Sequence, residues 1–189
     1  MRLSVSAALV AALLMSAGAP GASSATGRRV PEPCVGANLL PTSANAATVS
    51  AATLCLIDRV RAAHHLPALR PNRDLEAVAA AQTYSMLRGN YFADNPPSGQ
   101  TLAVRIAASR YLAHTAGFFT AQNIGWGTIE DASPARMLEA WMVSPPHRRV
   151  ILTGAFRDVG VGVAPHVPSV VGGGQEGATF TVEFGARLR

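Results

Sequence analysis

Histidine titrates nearest to neutral pH and readily ligates metals, so the five histidines of this chain are the first residues to weigh for chemistry. His147 stands in "WMVSPPHRRVIL", directly after two prolines and ahead of two arginines. Ser144, three residues upstream, is the nearest serine that such a base could activate. No nucleophile-elbow pattern surrounds it, and "SPPH" reads first as a helix terminator. His64 and His65 close a helical stretch, where an imidazole favourably meets the carbonyl ends. His114 in "YLAHTAGFF" and His166 in "APHVPS" fall in predicted loops without a ligand-spaced partner, and both read as solvated. Cys34 and Cys55 form no CxxC pair, which sets aside a redox or zinc motif of that kind. They predict instead a disulfide closing a loop of about 20 residues. Trp126 and Trp141 read as packing residues rather than a ligand platform.

The elements that must position these groups follow from period and punctuation. Residues 47 to 65 place Ala52, Leu56, Val60 and Ala63 on one helical face. "LPALRP" is an extended passage, and Asn72 then caps a helix with Asp74 and Glu76 in its first turn. That helix buries Leu75, Val78, Ala79, Gln82 and Met86, with Gln82 at the edge of the stripe, and Gly89 ends it. "NYFADNPPSGQ" is a loop, and a short helix around residues 100 to 110 turns Leu102 and Ile106 inward. Ser133 caps a further helix with Pro134 at its first position and Met137, Leu138, Trp141 and Met142 as its stripe. Pro145 and Pro146 terminate it. "DVGVGVAP" and "ATFTVEFG" alternate as strands on Val159, Val161 and Val163, and on Phe180, Val182 and Phe184. "AQNIGWGTI" is a third strand with Ile124 inward, and residues 166 to 177 form a flexible hairpin loop. Helices first and antiparallel strands later give an α+β class.

Composition bounds the setting. The chain has 189 residues, 49% of them apolar, enough for one core. Residues 1 to 25 read as a signal peptide: a basic start at Arg2, an apolar run too short for a membrane span, then small residues. Residues 26 to 46 form an extended leader tied by the Cys34–Cys55 disulfide, and residues 47 to 189 the globular domain. No later stretch is apolar and long enough to cross a bilayer, so no integral membrane segment remains after signal removal. The net charge is +5 and every basic residue is arginine. These arginines are scattered without interleaved aromatics, which argues against a nucleic-acid partner.

Four segments in order then carry a resemblance. "TLCLIDRVRAAHHLPALRPNRDLEAVAAAQTYSM", "NYFAD", "AQNIGWG" and "WMVSPPHRRVIL…FRDVGVGVA" resemble the CAP superfamily of cysteine-rich secretory, antigen 5 and pathogenesis-related-1 proteins (the SCP domain), in its short secreted bacterial form. The resemblance implies a three-layer α-β-α sandwich with a central antiparallel sheet and a cleft on one face. In that family the cleft typically holds two histidines and two acidic residues able to bind a divalent metal. His147 matches the second histidine. The first, in the family's F-S-H, falls on "FAD", where Asp94 stands. The glutamate of G-E-N-I-A falls on "AQNIG", where Gln122 stands, followed by Asn123. No acidic residue occurs from 95 to 121 to fill the fourth position.

One imidazole, one carboxylate and one amide are a poor set for zinc, so the resemblance implies a metal site lost or weakened to roughly millimolar affinity or worse. His147 and Asp94 are the residues any such ion would have to use. Without it they are expected to attract each other across the cleft, with Gln122 completing a polar network. The expectation is a secreted, monomeric, noncatalytic extracellular binding module with no cofactor and no catalytic residue. Its cleft is lined by Asp94, Gln122, Asn123, Ser144 and His147, and its ligand is a lipid, a peptide or a cell-wall component. The alternative is a metal-assisted or His/Asp-dependent hydrolase of extracellular peptides. A third course leaves the cleft vestigial and gives function to surface loops such as residues 166 to 177.

Overall fold

The computed structural model describes residues 33 to 113 and 115 to 188. The expected signal peptide, the first part of the leader and His114 lie outside the described residues.

In the described part of the expected leader, residues 35 to 38 form turns. The Cys34–Cys55 disulfide fastens this segment to α1 (Ala46–Ala63), with the two Cα atoms 5.7 Å apart. The buried face of α1 is Val49, Ala52, Thr53, Ile57 and Arg61, rotated from the face expected. Leu56 and Val60 flank the core half-buried, and Ala63 is exposed. The rotation is possible because Arg61 buries its charge against carbonyls. It donates to Ile151 O at 2.7 Å, Pro67 O and Thr153 O at 3.1 Å, and Phe156 O at 3.4 Å. A buried cation satisfied in this way ties the turn after α1 to the connection between α5 and β3.

A two-residue strand, β1 (Arg70–Pro71), leads into α2 (Arg73–Gly89), whose cap Asn72 accepts from the backbone N–H of Asp74 and Leu75 as expected. Its far end is set by Asn90, in the left-handed region at φ 49°, rather than by Gly89. A short α3 (Leu102–Ala107) follows, then β2 (Gly117–Thr128), longer than expected. Next comes α4 (Pro134–Val143), capped by Ser133, and α5 (Pro145–Ile151) starts one residue after it. The two prolines therefore open a helix as well as ending one, since the first turn needs no N–H from them. The chain ends with β3 (Asp158–Pro165), one turn of helix α6 (Ser169–Gly172) inside the expected hairpin loop, and β4 (Gly177–Leu188).

The fold is α+β, with six helices and one four-stranded sheet among the described residues, in the order β1-β3-β4-β2. Its three long strands pair antiparallel, but β1 joins β3 in parallel, so the sheet is not purely antiparallel. One face carries Val159, Val161, Val163, Phe180, Val182 and Phe184 against Ile57, Met137, Trp141 and Ile151. On the other face α2 lies on glycine. A Cβ at Gly160 would come within 2.1 Å of the Leu75–Glu76 backbone, and one at Gly162 within 2.5 Å of Ala79. Both faces of β3 and β4 are thus covered by helices.

Candidate functional site

The site forms along β2, an edge strand whose consecutive side chains point to opposite faces. Gln122 lies on the α2 side, in register with Glu183 of β4, which is in register with Gly160 of β3. Asn123, one residue on, faces the α4–α5 side.

On the α2 side, Gln122 Nε2 donates to Asp94 Oδ1 and to the Asp94 carbonyl, each at 3.2 Å. Arg105, reaching in from α3, donates from Nη2 to Gln122 Oε1 at 2.7 Å and to the Asp94 carbonyl at 3.1 Å. Gln82 was expected at the edge of its helix stripe but is buried. It holds the same loop, donating to Ala93 O at 2.9 Å and to Asp94 O at 3.3 Å. Behind them Glu183 is fully buried, with one carboxyl oxygen 3.9 Å from Arg105 Nη2. Among the described residues neither oxygen of Glu183 has a hydrogen-bond partner, and Gln82 Oε1 and Arg105 Nε lack one too. Burial pushes the Glu183 carboxyl up to about 8, Arg105 draws it back, and the Asp94 charge raises it further.

On the other side, Asn123 donates from Nδ2 to the His147 carbonyl at 3.1 Å and fixes the first turn of α5 against β2. His147 Nδ1 lies 2.9 Å from Ser144 Oγ, the residue between α4 and α5. Burial lowers the imidazole below its ordinary range, and the field of Asp94 only partly offsets this. Its neutral form therefore dominates at pH 7.

The expected cleft residues form two hydrogen-bonded sets: Asp94 with Gln122, and His147 with Ser144 through its ring and with Asn123 through its carbonyl. Asp94 and His147 feel each other's charge, but among the described residues no ion pair or hydrogen bond joins them. The reason is that Asp94 is held by Gln122 while His147 turns to Ser144. His166 lies on the rim of a separate cavity near Leu40 and Ile129.

The donor set does not fit a divalent ion. Among the described residues no three His, Cys, Asp or Glu side chains stand together in a way that could hold a metal. An ion between Asp94 and Gln122 would share its oxygens with the Arg105 guanidinium, which already supplies positive charge there. Glu183 and Arg105 are the residues that sequence reasoning missed. In "TFTVEFG" the glutamate takes the alternate positions usually turned to solvent, a reading that fails when helices cover both faces.

Residues 54–181, more than half the chain, match the family described as "Cysteine-rich secretory protein family" (CAP). Among curated proteins none matches the chain. Among solved structures, an outer surface protein of Borrelia burgdorferi is similar, with 20% identity and a TM-score of 0.56 over 71% of this chain and 89% of that one. An extracellular SCP-domain protein of Bacillus anthracis is similar at 22% identity and TM-score 0.56, over 79% of this chain and 44% of that one. A cysteine-rich secretory protein of Staphylococcus aureus gives 16% identity and TM-score 0.54, over 78% and 40%. The chain thus spans less than half the length of the last two. At these identities the structural likeness carries the fold alone, whereas the family match covers Asp94, Gln122, Asn123, Ser144 and His147 and stops short of Glu183. The chain belongs to the cysteine-rich secretory protein (CAP) family.

Proposed function

We propose that this chain is a secreted, monomeric CAP-domain protein, a three-layer α-β-α sandwich that binds an extracellular ligand without catalysing a reaction and without a resident metal. Secretion is supported by the signal-like first 25 residues, by the disulfide and by the extracellular SCP-domain protein among its structural neighbours. The observation that carries the binding reading is Arg105. Its guanidinium bridges the Asp94 carbonyl and the Gln122 amide oxygen beside buried Glu183. The polar cluster is thereby closed around an internal cation. The ligand in this reading is a lipid, peptide or cell-wall component met at the rim.

Zinc titration by calorimetry tests this, with His147→Ala run beside the wild-type chain. No binding heat in either protein is the expected result. Micromolar binding that disappears in His147→Ala overturns it and returns the site to metal chemistry.

A second reading, hydrolysis of peptides, has one observation in its favour, the 2.9 Å contact between Ser144 Oγ and His147 Nδ1. A working triad would need a carboxylate orienting the ring, and Asp94 is bonded to Gln122 instead. Labelling by a serine-directed fluorophosphonate, lost in Ser144→Ala, would establish this second reading. Absence of labelling is the expected outcome.

A further inference from the structure

A second polar site lies where β3 begins and β4 ends. The first residue of β3, Asp158, is buried, and its carboxylate receives a hydrogen bond from Tyr111 Oη at 2.9 Å. Arg70 of β1 approaches one carboxylate oxygen through Nε at 3.6 Å, and Arg187 of β4 approaches the other through Nε at 3.7 Å. Arg187 also lies over the Tyr111 ring, 5.0 Å from its centroid, so its plane is held from a second direction. Arg157, just before β3, is pinned through Nη1 to the carbonyls of Gly154 and Phe156. Arg70, Arg157, Arg187 and Asp158 line one cavity of about 330 Å³, together with Thr115 and Leu188.

The charges do not cancel. Among the described residues that line it, three arginines against one aspartate leave 3 − 1 = +2 at this cavity. Because Arg70 and Arg187 both turn Nε to Asp158, the paired η-nitrogens of each have no hydrogen-bond partner among the described residues. Those nitrogens form the planar fork that grips an oxyanion through two parallel hydrogen bonds. A phosphate monoester carries about −1.5 to −2 at pH 7, matching the charge, and presents three acceptor oxygens to these donors. A carboxylate carries half that charge. The position is also independent of the His147 site, since Arg187 stands four residues beyond Glu183 on β4, about 13 Å along the strand.

We infer that the cavity between Arg70, Arg157 and Arg187 binds a phosphate group, free or as a phosphomonoester. Asp158 acts as the fixed post that aims two of the three guanidiniums. The test is calorimetric titration of the full chain with inorganic phosphate at low ionic strength, with sodium chloride at matched ionic strength as the control. Saturable phosphate binding that chloride does not reproduce is expected. The double variant Arg70→Gln/Arg187→Gln should weaken it by about tenfold or more. Both positions are solvent-facing, so the fold should survive, and Arg136→Gln, which alters only an exposed pair with Glu139, should leave binding unchanged. Phosphate heats no larger than chloride heats, or equal affinity in the double variant, would overturn the inference. Sedimentation with phosphatidic acid vesicles but not phosphatidylcholine vesicles would identify a lipid headgroup as the source. Phosphate binding without vesicle capture would identify a soluble phosphomonoester.

Discussion

Glu183 has no exposed surface and, among the described residues, no hydrogen-bond partner, and burial pushes its carboxyl up to about 8, against an ordinary value of 4.5. Between those two values the folded chain binds more protons than the unfolded one. Stability is therefore full below the unfolded pKa and declines as pH rises through the folded pKa. Glutamine has the shape of the neutral acid and cannot ionise. In Glu183→Gln, thermal melts should lose much of the decline in Tm between pH 5 and 8.5 that the wild type shows. An equal decline in both proteins would place the titration elsewhere. This residue also marks the limit of what could be read from the sequence about the site. Asp94, Gln122 and His147 were found because motif positions point to them. Glu183 and Arg105 come from segments distant in sequence and meet only when β4 and α3 are placed beside β2, so no local spacing announced them.

Elements fared better than residues because caps and periods act locally. Asn72 and Ser133 cap the helices expected of them, and the alternating valines and phenylalanines form β3 and β4. α5 is not legible in the sequence, because Pro145-Pro146 reads as an ending although proline is equally at home in a first helical turn. The same local reading missed how α2 meets the sheet, which depends on the absence of side chains. Gly160→Ala would drive a Cβ into the backbone of Leu75 and Glu76, where nothing flexible can yield. We expect a loss of about 3 kcal/mol, measured as a lower urea midpoint. Val161→Ile, on the opposite face, should cost less than about 1.5 kcal/mol, because side chains there can repack.

For the molecule as a whole, the disulfide governs how firmly the entry segment is held. It spans 21 residues of sequence, and Ala37 O, within the same entry, accepts from the Ala135 N–H of α4. Replacing both cysteines by serine should lower unfolding stability by about 3 kcal/mol, read from denaturant titration, with the fold retained. The division of the sheet into a glycine-lined face and a side-chain-lined face has a consequence for descent. Relatives of this chain can exchange valine, isoleucine and leucine on one face as they diverge, while Gly160 and Gly162 have no permitted alternative. An alternating glycine signature in β3 would thus be inherited for reasons of space alone, and its persistence across the family would be a record of how α2 is seated, independent of any ligand.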